Sequence, residues 1–581
     1  MGEGLSKAVQ PEDLAVFKKL PANHNLLENI QIPEKPENRR PTDRKFLIVF
    51  IVIVLLLFPF LIYTLVNSDW DRIRGYDQCG NVCGENNTKY KEWPCTGKDE
   101  THNVYLQIDT TDDTKTFQDL LFYPRKCVRR CDFDYHLSFG KCFKDKSDSS
   151  RYPRDVDGVS EKVGSKSVSE YLNKVAWRIV LACALSLAVG IGMLVLFKVA
   201  TAAVVWGMIG GVLIFGGIVT GLMWYGYFTA DKWNQKDPNS KKMLLFFAIF
   251  LTVVLLILFC ITVFMFRKIQ LIIQLFKETT KATFAMPALI FVPVLTFLVE
   301  LIILVLLIIT TSLIYTSGIL TEIAPEYLAY KSNVVMQITL ILNIIVAFWA
   351  TQFVIGVQYM IIAGAIAKWY WAKNKNFLDS PIGTSAKVAF KFHLGSVAFG
   401  SLIITIIAII RSILQSLTKN KAVKAVVDAC IGALESFLKF LSKNAYILIA
   451  MHGKPFYKSG KRAAKIIFQN AVSIVSINYV GDFILGMAHL LVILISMMIT
   501  VGIMTGADTE YSFIVYLIVF LVSLFVAMTC FSTFETAIDT IFLCFCEDSL
   551  LNDGMARPYA MSRDLMEFVE NSKKLYGEKK E

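Results

Sequence analysis

Charge and histidine are scarce in this chain. Asp, Glu, Lys and Arg make up 18% of its 581 residues, against ~25% in ordinary globular chains. Only 6 histidines occur, and they are scattered. The sequence has no H-E-x-x-H, no G-x-S-x-G and no G-x-G-x-x-G, so metalloprotease, hydrolase and dinucleotide-binding chemistry have no foothold. Gly453-Lys454-Pro455-Phe456-Tyr457-Lys458-Ser459-Gly460-Lys461 imitates a phosphate loop, but six residues separate the glycines instead of four. Pro455 and the bulky aromatics also fit poorly with a backbone-amide cradle. The stretch reads as a basic loop at a membrane edge. No catalytic activity, cofactor or metal is expected.

What the chain does have is apolar surface. Hydrophobic residues reach 55% and mean hydropathy is +0.51. A water-soluble chain cannot hide that much, so the fold class is an all-α polytopic membrane protein. The net charge of +11 does not require nucleic acid as a partner, because Lys and Arg gather beside apolar spans on the cytosolic side. Membrane lipids are the expected surroundings.

The first 45 residues are polar, proline-bearing and without a visible cleavable leader. A run from Phe46 to Val66 follows, long enough for a ~30 Å hydrocarbon core. Arg39, Arg40, Arg44 and Lys45 precede it and place the N-terminus in the cytosol. Residues 67–175 are polar and carry Cys79, Cys83, Cys95, Cys127, Cys131 and Cys142. An even set in an exposed segment reads as three disulfides, with 15 possible connectivities. Asn86-Asn87-Thr88 offers a glycosylation sequon at Asn86. Both signals agree with an extracellular or lumenal, disulfide-rich domain; a metal site built from Cys79/Cys83 and Cys127/Cys131 is the alternative.

Residues 176–546 read as a helical transmembrane domain, and 547–581 as a cytosolic tail. Apolar runs occupy 177–197, 201–224, 243–266, 287–315 and 333–366. Leu394–Ile410 is apolar, whereas 421–451 is mixed, with Lys424, Asp428, Glu435 and Lys439 inside it. The basic loops on either side require an even number of crossings between them, which brings the expected total to about ten with both termini inside. A re-entrant pair with an interfacial helix is the other reading. A further span starts near Gly481, and 512–546 holds the last. Cys544 and Cys546 at its end are palmitoyl acceptors or plain buried thiols. Gly207, Gly211, Gly217 and Gly221 form a small-residue stripe suited to close helix packing or to sliding.

Ionisable residues at membrane depth are candidates for function. Glu300 lies near the middle of its span. Glu535 and Asp539, four apart on one face of the last span, are candidates for ion coupling. Asp482 and His489 flank the start of another span. On the 333–366 span, Trp349, Gln352, Gly356, Tyr359 and Ala363 fall within about 80° of arc. Gln358 points to the opposite side and is expected to be separate. Aromatic faces and acceptors hold a quaternary ammonium, which has no N–H to donate, through cation–π attraction. Trp349, Gln352, Tyr359 and Glu300 are the expected substrate-binding residues for such a cation.

Many of these residues resemble the choline transporter-like family. The resemblance runs through Gly75-Tyr76-Asp77, Cys79-Gly80-Asn81-Val82-Cys83-Gly84, Phe348-Trp349, Tyr370-Trp371-Ala372, His393-Leu394-Gly395-Ser396, Ile410-Arg411, Asn444-Ala445-Tyr446-Ile447, Gly481-Asp482-Phe483 and Asn552-Asp553-Gly554. It covers nearly the whole chain, in family order. It implies a ten-span carrier of choline, and in some members ethanolamine, without sodium coupling and with proton exchange as a coupling candidate. Members lie in the plasma membrane and in some cases in mitochondria, where they supply phospholipid synthesis. Gln352 stands where the family can carry an acid or another amide, and Glu300 where apolar residues predominate. An adhesion or signalling protein acting through the cysteine-rich segment, and an ion channel, are the alternatives. The first leaves most spans unexplained. The second lacks charged rings or a repeated pore loop.

Overall fold

The computed structural model describes residues 32–89, 94–108, 124–132, 135–138, 141–144, 160–229, 238–324, 327–375, 378–418, 420–469, 471–505, 512–552, 559–562 and 566. The helices are α1 (Arg44–Asn67), α2 (Ser160–Thr229), α3 (Pro238–Ala285), α4 (Phe291–Thr316), α5 (Val334–Tyr370), α6 (Pro381–Val388), α7 (Leu394–Leu417), α8 (Lys421–His452), α9 (Phe456–Gln469), α10 (Ala471–Met504) and α11 (Ser512–Leu551). Among the described residues, eight helices are long and apolar enough to cross a membrane. One of them, Asn173–Thr229, has 57 residues. At ~1.5 Å per residue it is far longer than a ~30 Å hydrocarbon core. It breaks at Ala200, where φ is −145° and ψ is 51°, in the gap between the apolar runs 177–197 and 201–224. The mixed helix α8 is not among the eight.

The contacts divide the chain into two units. The smaller comprises Ile48–Lys174 and Val299–Thr351. Its cysteines pair as Cys79–Cys95, Cys83–Cys127 and Cys131–Cys142. With all six consumed, the metal alternative falls. Strands β1 (Tyr105–Ile108), β2 (Arg125–Val128), β3 (Tyr135–Ser138) and β4 (Lys141–Lys144) form a sheet of order β2-β1-β4-β3. β1 runs antiparallel to β2 and parallel to β4, and β4 runs antiparallel to β3. The Asp77–Gly84 motif is a turn held by side chains. Asp77 Oδ1 accepts from the Cys79 and Asn81 amides at 2.9 and 2.8 Å, and its Oδ2 accepts from Asn81 Nδ2. Asn87 is buried on Val82, while Asn86 is exposed, so the sequon asparagine is the accessible one.

A second loop of the same unit, the hairpin β5 (Ile319–Ala324) and β6 (Tyr327–Lys331), docks on this domain. The Leu328 amide donates to Gln78 O at 2.7 Å, and Tyr330 Oη to Gly80 O at 2.9 Å. Arg72 donates to the Thr316 and Gly318 carbonyls while lying over the Tyr330 ring. Gly80 has φ +80° and faces Leu320 so closely that a Cβ would collide with it.

The larger unit comprises Met1–Leu47, Val175–Leu298 and Gln352–Glu581. Its core gathers α2, α3, α5 and α8 to α11 around Phe197, Phe276, Phe531 and Phe534. A strap ahead of α1 closes one end. Arg39 Nη2 donates to Ala450 O at 2.6 Å, at the C-terminus of α8 where carbonyls lack helical partners. Burial pulls the Arg39 guanidinium down to about 10. Asp43 Oδ2 accepts from Ser396 Oγ at 2.6 Å and from the Phe456 amide at 2.7 Å, an orphan donor at the start of α9. Gly395 lies under the Thr42 carbonyl, with no room for a Cβ.

Two expectations need correction. The basic stretch after Gly453 is not a loop: Gly453 (φ +65°) ends α8, and α9 begins at Phe456. Lys458, Lys461, Arg462 and Lys465 form its exposed face and Ala463, Ile466 and Ile467 its buried one, the pattern of an amphipathic helix. The span expected from about Gly481 is found as Gly481–Met504, within the longer helix α10 that begins at Ala471. Gly207, Gly211, Gly217 and Gly221 have nothing within 4 Å of an added Cβ. Close approach to α3 comes instead at Gly216, against Leu255, and at Gly226, against Leu244.

Candidate functional site: a cation between acids

The larger unit contains a group of ionisable side chains drawn from four helices. Lys443 of α8 points at α11, with its Nζ 2.6 Å from Glu535 Oε1 and 2.5 Å from Asp539 Oδ2. Spacing of four on α11 puts both carboxylates on one face, so a single ammonium reaches both. The side chains of Lys443 and Asp539 retain 13% and 11% of their exposure, and Glu535 keeps 42%. Glu535 is therefore the least buried of these three side chains. Tyr359 of α5 offers its ring to the same ammonium, 5.3 Å from the centroid. Asp482 of α10, exposed at its side chain, interacts electrostatically with Lys443, Glu535 and Asp539.

The surrounding backbone explains this placement. Gly356, one turn from Tyr359, has Val397 and the Tyr446 ring where a Cβ would stand, so α5 lies close against α7 and α8. Gln358, expected to be separate from the stripe, is buried and donates to Ser532 Oγ of α11 at 2.8 Å. Ser532 precedes Glu535 by one turn, so this bond sets α11 against α5 beside the cluster.

The structure thus brings Tyr359, Glu535 and Asp539 together, with Asp482 nearby. Gln352 lies two turns from Tyr359 on the same face of α5 and is half-buried. Trp349 and Glu300 belong to the smaller unit. Trp349 is 1% exposed and meets Phe50 edge-on at 4.9 Å. Glu300 is half-buried on α4, and no hydrogen bond or ion pair to it is found among the described residues. His489 is satisfied by Leu485 O at 2.7 Å. Cys544 and Cys546 are buried. Lys443 escaped the sequence reading. The signal that could have found it is the pair Glu535/Asp539 itself, because acids inside a membrane require a cation.

These features define a class: an all-helical polytopic membrane protein with a small disulfide-bonded domain and an ionic cluster among its helices. Comparison with known proteins narrows the class. The family described as plasma-membrane choline transporter matches residues 249–550, just over half of the chain, and the chain belongs to that family. Choline transporter-like protein 1 of Torpedo marmorata is 28% identical over 607 aligned residues, spanning 93% of this chain and 94% of the relative. Choline transporter-like protein 2 of Dictyostelium discoideum is 25% identical, spanning 94% and 98%. Choline transporter-like protein 1 of Caenorhabditis briggsae reaches 37% identity, over 39% of this chain and 32% of its own length. The matched region includes Tyr359, Lys443, Asp482, Glu535 and Asp539.

Proposed function

We propose that this protein carries choline across the plasma membrane by alternating access, without sodium, with ethanolamine as a further substrate and a proton as the coupling ion. Both termini face the cytosol in this reading, and the disulfide-bonded domain faces outward. The observation that carries the reading is the Tyr359–Glu535–Asp539 cluster, because an aromatic face beside carboxylates is what an organic ammonium needs at membrane depth. Gln352 accepts from the substrate hydroxyl. Glu535 and Asp539 supply negative potential and serve as the coupling pair.

Choline binding to the purified protein tests this site. Tyr359→Leu fills space without a negative face, and affinity is expected to fall roughly 2- to 30-fold, the equivalent of ~0.5–2 kcal/mol for a cation–π contact. Tyr359→Phe keeps the face and should bind nearly as wild type. Equal affinities for the Leu and Phe variants would remove Tyr359 from the substrate site.

A further inference from the structure

We propose that Lys443 is a tethered stand-in for the substrate: its ammonium occupies the ammonium subsite formed by Glu535, Asp539 and Tyr359, and an incoming choline must displace it. The inference rests on the transport reading above and adds a competitor built into the chain.

The first argument is occupancy. Two carboxylates within 2.6 Å and an aromatic ring at 5.3 Å are the chemistry that recognises an organic cation, and an alkylammonium from the protein already sits there. The second is charge. Two ammonium groups cannot share one such subsite, since like charges brought together repel. Substrate entry therefore requires the lysine to leave. The third is the side chain. Lysine carries a compact charge on a flexible four-carbon stem, so it can swing aside while α8 stays in place. Glu535, at 42% side-chain exposure, gives the displaced ammonium a less buried carboxylate.

The exchange has a consequence for transport. A carrier must reorient both loaded and empty, and bare carboxylates among packed helices oppose the empty step. With Lys443 returning to the subsite as substrate departs, Asp539 is neutralised on both legs. The same geometry bears on selectivity. The lysine donates N–H bonds to both acids, as ethanolamine can, whereas choline holds the subsite through charge and the Tyr359 face alone. Ethanolamine should therefore compete with Lys443 on more equal terms.

The test measures equilibrium binding of choline and tetramethylammonium to the purified full-length protein. Tetramethylammonium reports the ammonium subsite without a hydroxyl. Lys443→Gln removes the competitor, and both cations should bind at least about tenfold tighter, the effect of relieving like-charge repulsion. Lys443→Arg keeps a tethered cation and should stay near wild type. Unchanged or weaker binding to Lys443→Gln would overturn the proposal and leave Lys443 as a structural ion-pair partner. If Lys443→Gln fails to fold, the comparison moves to Asp539→Asn with and without Lys443→Gln. Tighter tetramethylammonium binding in the double variant supports displacement, and equal or weaker binding overturns it. Wild type that binds and transports choline while these comparisons show no tightening defeats only the stand-in role. Wild type that neither binds nor transports choline defeats the transport reading itself.

Discussion

At the scale of residues, the ionic cluster was half readable from sequence. Glu535 and Asp539 announce themselves, because two acids four apart in an apolar helix share a face and need a partner. Tyr359 followed from helical phase. Lys443 did not, because it sits where the amphipathic half of α8 gives way to the apolar run Ala445–Met451, and average hydropathy hides a single charge there. Trp349 shares the stripe with Tyr359 and is fully buried, meeting Phe50 edge-on. Trp349→Ala removes a large buried ring and is expected to lower stability by ~3–5 kcal/mol, read as a lower melting temperature in detergent. At equal surface expression, Trp349→Phe is expected to bind choline better than Trp349→Leu, and equal affinity would assign the residue to packing. Glu300→Gln is the companion test. Weaker choline binding at unchanged expression is expected if its charge attracts substrate, and unchanged binding would make it structural.

At the scale of elements, α8 is the instructive case. Its charges made its crossing ambiguous, since hydropathy cannot see who pairs with whom. In the structure they have partners. Arg411 of α7 donates to Asp428 at 2.8 Å and to Glu435 at 3.0 Å, Gln415 adds a bond to Asp428, and Lys439 pairs with Glu435 at 2.7 Å. Paired charges can lie in a helical bundle where isolated ones cannot, and in the ten-span reading α7 and α8 form a crossing hairpin. A tag between Ser416 and Lys421 should then be reachable on intact cells, and Arg411→Leu should reduce that labelling by stranding two carboxylates. Labelling only after permeabilisation would replace the crossing hairpin with an interfacial pair. The disulfide-bonded domain has its own expectation. Glu85 shares a hydrogen bond with Asp71 and also feels Asp69, which pushes its carboxyl up to about 7. A carboxyl raised in the folded state contributes stability that is full below its ordinary value, near 4.5, and is lost as pH rises through 7. The Lys126 ammonium holds Asp132 below the usual carboxylate range, and that contribution is lost only in stronger acid, below 3.8. Thermal unfolding of the intact protein should therefore show this domain more stable at pH 5 than at pH 8. Glu85→Gln should flatten the dependence, and an unchanged slope in that variant would exclude Glu85 as its source.

At the scale of the whole molecule, composition and run length were enough to reveal a polytopic helical membrane protein, because the bilayer fixes how long an apolar helix must be. The disulfide pairing was not readable, since spacing alone leaves the connectivities open, and neither was the docking of the β5–β6 hairpin through Arg72 and Tyr330. The family assignment agrees with the resemblance seen in the motifs, and the fold explains several of them: Asp77 and Asn81 build a turn, Gly395 admits the strap before α1, and Arg411 supports α8. What family and fold together leave to experiment is the movement of choline by this chain. The most direct measurement is uptake of labelled choline into proteoliposomes containing the purified full-length protein, with sodium present or absent and with the internal pH above or below the external. Saturable uptake that excess unlabelled choline abolishes, that does not change with sodium, and that responds to the pH gradient is the expected result. Accumulation no greater than in protein-free liposomes under every gradient would contradict it.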